Sequence, residues 1–425
     1  MSSLCHALRS CAAAKSHMPS LALATIAGCC LFAAPVLSAP AESVLYSFAG
    51  APDGATPFGN LVLDAFGNLY GTTVWGGNYN SGTVFKVSPA GIETVLYSFK
   101  GGRDGQNPYG AVALDPAGNI YGVTAWGGKG CDDLGCGTVF ELTPDGRGGW
   151  KETVLYRLNE TREGEDSLGG LARDAQGNLY GTTAYGGNCA GASGAGTVFE
   201  LSLVDSRWKS TVLSTFCKAG AGPVYGTLAL DNAGYLYGTA GSVVFRLDNG
   251  DGKRWRQTAL HDFSSDGYAL LIGGITLDAA GNAYGANASG GTGCDGSGCG
   301  TIFELEAAKG WKAKTLYTFH GADGNTPFVA PVADSAGNLY GTTYSGGGCG
   351  GDCGVLYKLS PRAHGAWKET ILHAFGNNQG DGYNPLAGVA LDAAGNIFGV
   401  TTKGGGGDFR RCDCGAVYQI GAAHR

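Results

Sequence analysis

The chain has 425 residues, a formal net charge of −7 and only 15% charged residues, with 77 glycines against two methionines. That balance is poor in helix formers and rich in turn formers. An acidic chain without basic clusters also speaks against nucleic acid as a partner.

Residues 1–41 differ in character from the rest. They hold no acidic side chain, two basic ones at Arg9 and Lys15, and the apolar run SLALATIAGCCLFAAPVL ending in SAPA. This is the pattern of a secretory signal. Ala39 and Ala41 supply the small residues of a cleavage site, so the mature chain is expected to start at Glu42, which moves the net charge from −7 to −9 by removing Arg9 and Lys15. A second reading stays open at IAGC, Ile26 to Cys29, which matches a bacterial lipobox and would anchor a lipoprotein through Cys29. Against it, the apolar run continues past that cysteine. No later apolar segment approaches the roughly 20 residues needed to span a bilayer. The expected location is secreted or periplasmic.

From there the chain repeats itself. The stretch LDAFGNLYGTTVWGG, Leu63 to Gly77, occurs in seven variants, with its Asp at Asp64, Asp115, Asp174, Asp231, Asp278, Asp334 and Asp392. The separations, 47 to 59 residues, leave room for four short strands each. In the first unit these are GNLVLD, NLYGTT, GTVFKV and TVLYSF, with the alternation and β-branched or aromatic enrichment of strands. The turn between the first two reads D-x-x-G-N, with Gly67, Gly118, Gly177, Gly234, Gly281, Gly337 and Gly395 in one register. Such a turn wants glycine where φ is positive and an Asp that hydrogen-bonds the turn backbone.

Seven tandem units, each too small to bury both faces alone, predict an all-β, seven-bladed β-propeller with four-stranded blades over residues 42–425. The chain begins with a fourth-type strand, residues 44–48, and finishes with a third-type strand, residues 415–420. Pairing these two would close the ring and leave no open edge. The strings GNLYGTT, GTVFEL and ETVLYSF resemble the Gloeo/Verruco, or GloVer, tandem-repeat family of bacteria. The resemblance covers nearly all of the mature chain. It implies an extracellular protein, often with a C-terminal sorting anchor, and no settled biochemical activity; this chain ends in YQIGAAHR, without an anchor.

Candidate functional residues gather on the face that carries the loops between second and third strands and the connections between blades. Asp53, Asp104, Asp266, Asp323 and Asp381 form Asp-Gly steps in those connections, with an acidic equivalent near Asp166. They would either ligate Ca²⁺ or bind sugar hydroxyls, or simply form turns ahead of Pro57, Pro108, Pro327 and Pro385. Trp75, Trp126, Tyr185 and Tyr344 share a loop position from which they would stack on a sugar or partner protein, or cover neighbouring blades. Trp150, Trp208, Trp255, Trp311 and Trp367 all precede a fourth strand and read as structural. The fourth unit has the shortest loop, around Gly241, which predicts a notch in the rim.

Ten cysteines follow the leader, an even number that favours disulfides over zinc in an exported protein. The spacing suggests Cys131–Cys136, Cys294–Cys299 and Cys349–Cys353, and Cys189 and Cys217 pair because both fall on the same face of the third blade, leaving Cys412 and Cys414 with an unsettled C-x-C pairing. His261 and His373 replace the tyrosine of VLYSF and His320 ends another fourth strand, so no histidine is placed for hydrolytic catalysis. The expectation is a monomeric binding scaffold for carbohydrate or protein, without a cofactor unless calcium. Two alternatives stay open: an acid-dependent hydrolase or lyase acting on glycans, and a structural surface protein without a dedicated ligand.

Overall fold

The computed structural model describes residues 42–421, apart from 132–133, 190–194, 218–221, 251–253, 267–268, 292, 295, 297, 349–352, 378–379 and 407–411. The predicted leader, including Cys29, lies outside the described residues. Seven small four-stranded antiparallel sheets form a seven-bladed β-propeller, and no α-helix occurs among the described residues. Blade 2 is representative: Ala113–Leu114, Ile120–Thr124, Thr138–Pro144 and Trp150–Arg157 run from the axis outward. The last blade takes its outer strand from the other end of the chain. Glu42–Ser47 pairs antiparallel with Ala416–Ile420, in the register Glu42 to Ile420 and Ser47 to Ala416.

Each part of the repeated string has a separate task. In blade 1, Asp64 Oδ1 accepts from the backbone N–H of Phe66 and Asn68 at 2.8 and 2.9 Å, and Oδ2 accepts from Asn68 Nδ2 and the Tyr70 hydroxyl. Gly67 closes that turn at φ 78°. Gly71 lies opposite Phe85 on the third strand, and a Cβ there would stand 2.6 Å from the ring. Thr72 donates to the Gly110 carbonyl of the next blade at 3.0 Å. Thr73 meets the Thr83 hydroxyl at 2.7 Å. In all seven blades the Asp Oδ1 accepts from the backbone N–H four residues on and the turn glycine has positive φ.

Hydrophobic burial is concentrated between blades. Val84, Leu96 and Phe99 of blade 1 pack on Ile120, Phe140 and Leu142 of blade 2, and equivalent clusters occupy the following seams. A further cluster joins Phe398, Val400 and Val417 of blade 7 to Leu61, Leu69 and Phe85 of blade 1. Trp150, Trp208, Trp255, Trp311 and Trp367 each pack, half-buried, against one of these clusters, as their register suggested.

The innermost strands are shorter than the string GNLVLD predicts. Only Val62–Leu63 pairs in blade 1, and two residues pair in each other blade. Near the axis the backbones crowd: a Cβ on Gly59 would stand 2.7 Å from Gly110, and one on Gly169 would stand 2.7 Å from Gly226. Glycine lets the blades meet there, and the chain leaves its own ladder to do so.

Candidate functional site

Where the chain turns into each innermost strand, one large apolar side chain points to the axis. Phe58, Tyr109, Leu168, Tyr225, Ile272, Phe328 and Leu386 do this, one from each blade. Together with the axial glycines they line a cavity of about 380 Å³, within the range of small-molecule sites. Its polar groups are few, chiefly Asn60, Thr227 and the two tyrosine hydroxyls, and among the described residues no Asp or Glu lines it.

Three of the four aromatics expected on this face pack behind that ring. Trp126 meets Tyr109 edge-on at 6.4 Å, Tyr344 meets Phe328 at 5.5 Å, and Tyr185 meets Tyr225 at 6.5 Å with their hydroxyls 3.0 Å apart. Tyr109 in turn meets Phe58 at 5.2 Å. Trp126 Nε1 donates to Asp166 Oδ1 at 2.8 Å, which fixes the indole. Trp75 stands further out and is 41% exposed, as is Tyr185. The inner ring was missed in the sequence, although an apolar residue follows Pro57, Pro108, Pro327 and Pro385 in register. In blade 4 a two-residue turn at Gly241 and Ser242 replaces the longer loops of the other blades.

The described Asp-Gly carboxylates lie elsewhere, in the seams towards the outer strands. Asp53 accepts from the Tyr46 hydroxyl and from the backbone of Ala49 and Gly54. Asp104 accepts from Tyr97 and Lys100 N, and Asp323 from Tyr317 and His320 N. Glu163, not Asp166, takes this role for Tyr156. Only the backbone of Asp266 is described, in the 3₁₀ turn Phe263–Asp266. The carboxylates of Asp53, Asp104, Asp323 and Glu163 are held by donors of the framework and do not line the cavity.

A glutamate of the next outer strand faces most of these aspartates. Glu93 faces Asp53, Glu152 faces Asp104 and Glu369 faces Asp323; burial and then the neighbouring Asp push each glutamate up to about 7. One oxygen of each is buried without a hydrogen-bond partner. Between blades 6 and 7 the tyrosine is replaced by His373, whose Nε2 lies 3.0 Å from Asp381 Oδ2 and 3.6 Å from Glu42 Oε2. Burial pulls the imidazole pKa down, but the hydrogen bond and charge of Asp381, with Glu42, outweigh it and raise it. In the sequence His373 reads only as a replacement for the tyrosine of VLYSF, because Glu42 reaches it through the pairing of the chain ends.

Disulfides join Cys131–Cys136, Cys189–Cys217 and Cys294–Cys299 as expected, with Cα–Cα distances of 5.0, 5.4 and 5.2 Å. Cys412 and Cys414 are bridged as well. Cys349 lies outside the described residues, so the expected Cys349–Cys353 pairing does too.

A family model described as the Gloeobacter/Verrucomicrobia repeat matches residues 36–243 and 240–410. No curated protein matches the chain. Among solved structures it is similar to virginiamycin B lyase from Staphylococcus aureus, at 10% identity and a TM-score of 0.54, covering 90% of this chain and 98% of that one. A Bacteroides uniformis protein assigned as a 6-phosphogluconolactonase matches at 13% identity and a TM-score of 0.52, over 78% and 88% of the two chains. The extracellular domain of a two-component system from B. thetaiotaomicron matches at 12% and 0.53, over 89% of this chain and 39% of that one. At such identities the likeness is one of fold, and the neighbours' functions differ from one another.

Proposed function

The chain belongs to the Gloeobacter/Verrucomicrobia repeat family, and from that footing we propose that it is an exported binding propeller that holds a carbohydrate at the mouth of its axial cavity. The observation that carries this reading is the ring of one apolar or aromatic side chain per blade, backed by Trp126, Tyr185 and Tyr344. Aromatic rings with a hydroxyl or N–H at the edge suit a ligand with apolar faces and a polar rim, as sugar rings have. Acid-dependent hydrolysis or elimination of a glycan needs two carboxylates near the bond that breaks. Among the described residues the cavity lining supplies none, which favours binding over catalysis. Export is supported by the disulfides, which belong to oxidising compartments.

A second reading, a protein partner, draws on the exposed Trp75, Tyr79 and Leu270. Titration with a panel of defined oligosaccharides, followed by tryptophan fluorescence, separates the two. The expected result is saturable quenching by at least one glycan, weakened about tenfold or more by Phe58→Ala or Tyr225→Ala. Absence of any glycan response, or a response indifferent to both substitutions, would refute the carbohydrate reading.

A further inference from the structure

The seam between blades 6 and 7 repeats the plan of its counterparts with one change of atom type. In the seams of Asp53, Asp104 and Asp323 the group facing the aspartate is a tyrosine hydroxyl, which donates to the carboxylate and, keeping its proton at neutral pH, is a poor metal ligand. At Asp381 it is an imidazole nitrogen. We propose that Glu42, His373 and Asp381 form a binding site for a first-row divalent transition-metal ion of the zinc type.

Three observations support it. The ligand atoms, His373 Nε2 and one carboxylate oxygen each from Glu42 and Asp381, all lie within 4.8 Å of one another. An ion bound at about 2.0–2.2 Å from each needs ligand atoms roughly 3.0–3.6 Å apart, and the two histidine distances are 3.0 and 3.6 Å. Second, the Asp381 side chain is 0% exposed and its Oδ1 is buried with no hydrogen-bond partner, whereas the Oδ1 atoms of Asp53, Asp104 and Asp323 each accept a hydrogen bond. Such a group is costly to leave unmet, and a cation held by both Asp381 oxygens answers it. Third, in the deprotonated form that ligation requires, the two carboxylates and the imidazole carry a charge of −2, which a divalent ion cancels.

The donor set selects the class of ion. Calcium takes six to eight oxygen ligands, whereas a set of one imidazole and two carboxylates suits zinc and its neighbours. Glu42 and His373 are each 12% exposed, so the ion and a water have a path from solvent. The ligands come from both ends of the sequence: Glu42 from the first strand, His373 from the outer strand of blade 6, Asp381 from the connection into blade 7. A bound ion would therefore fasten the N-terminal strand to blade 6.

The test uses the full chain, stripped with a chelator and dialysed. Bound zinc is counted by mass spectrometry and the thermal midpoint is followed as Zn²⁺ is added, with Co²⁺ as a spectroscopic probe. One zinc per chain and a saturable rise of several degrees are expected, both lost in His373→Tyr. That variant restores the residue present at this position in other blades and should fold as the metal-free protein does. Glu42→Gln is the second variant, expected to bind at least tenfold more weakly and to alter the visible Co²⁺ spectrum. No uptake by the wild type, or equal uptake by both variants, overturns the proposal. Either outcome is independent of glycan binding at the axial cavity, which is read by fluorescence.

Discussion

The paired carboxyls in the seams predict that this propeller grows less stable as pH rises from mildly acidic to mildly alkaline. Glu93, Glu152 and Glu369 have their pKa raised from 4.5 to about 7 in the folded state, by burial first and then by Asp53, Asp104 and Asp323. A carboxyl that holds its proton more tightly when folded stabilises the fold fully below its unfolded pKa, and that contribution disappears as pH climbs through about 7. At 1.36 kcal/mol per pH unit the full shift would be about 3 kcal/mol for each group. The side chains are only half-buried, and solvent screening reduces this to about 1 kcal/mol each. The three have different aspartate partners, so their effects should add to about 3 kcal/mol. Unfolding entropy for a chain of this size is roughly 0.8 kcal/mol per kelvin, so Glu93→Gln, Glu152→Gln and Glu369→Gln combined should raise Tm by about 3–4 °C at pH 8. At pH 4.5 the variant and wild type should melt together. Circular dichroism across that range is the assay. A difference that does not change with pH, or a variant less stable at pH 8, would refute the reasoning.

Two further outcomes test the decoding of the repeat. Gly71→Ala should cost about 2–3 kcal/mol by urea unfolding, because its Cβ would stand 2.6 Å from the fully buried Phe85 ring, and adding Phe85→Leu should recover part of the loss. Burial alone would raise the pKa of Asp115, but hydrogen bonds from Asn119, Tyr121 and Ala117 outweigh it and hold the carboxyl below its usual value. Asp115→Ala should therefore cost about 2 kcal/mol at pH 7, and the gap to wild type should narrow as pH falls below about 4; an unchanged gap at pH 2.5 would count against the turn carboxylate.

Much of this protein was readable without coordinates because its energetics are local and repeated seven times. The D-x-x-G-N turn needs only five consecutive residues, and positive φ at Gly67 together with the Asp64 hydrogen bonds follows from backbone geometry. Strand alternation and the number of repeats then give the propeller. Cys131 with Cys136 was legible for the same reason, since five residues bound the distance between them.

Tertiary structure alone decided what lies between blades. The cavity is lined by Phe58, Tyr109, Tyr225 and Phe328, which are about 50 or more residues apart and meet only because the blades are arranged about one axis. Asp53 looks like a surface turn in sequence, yet its carboxylate faces Tyr46 on one outer strand and Glu93 on another. Glu42 and His373 are separated by nearly the whole chain and meet because the first strand completes the last blade. Local sequence sets each blade by short-range hydrogen bonding, whereas side chains from neighbouring blades acquire their partners, burial and charge only when the seams form.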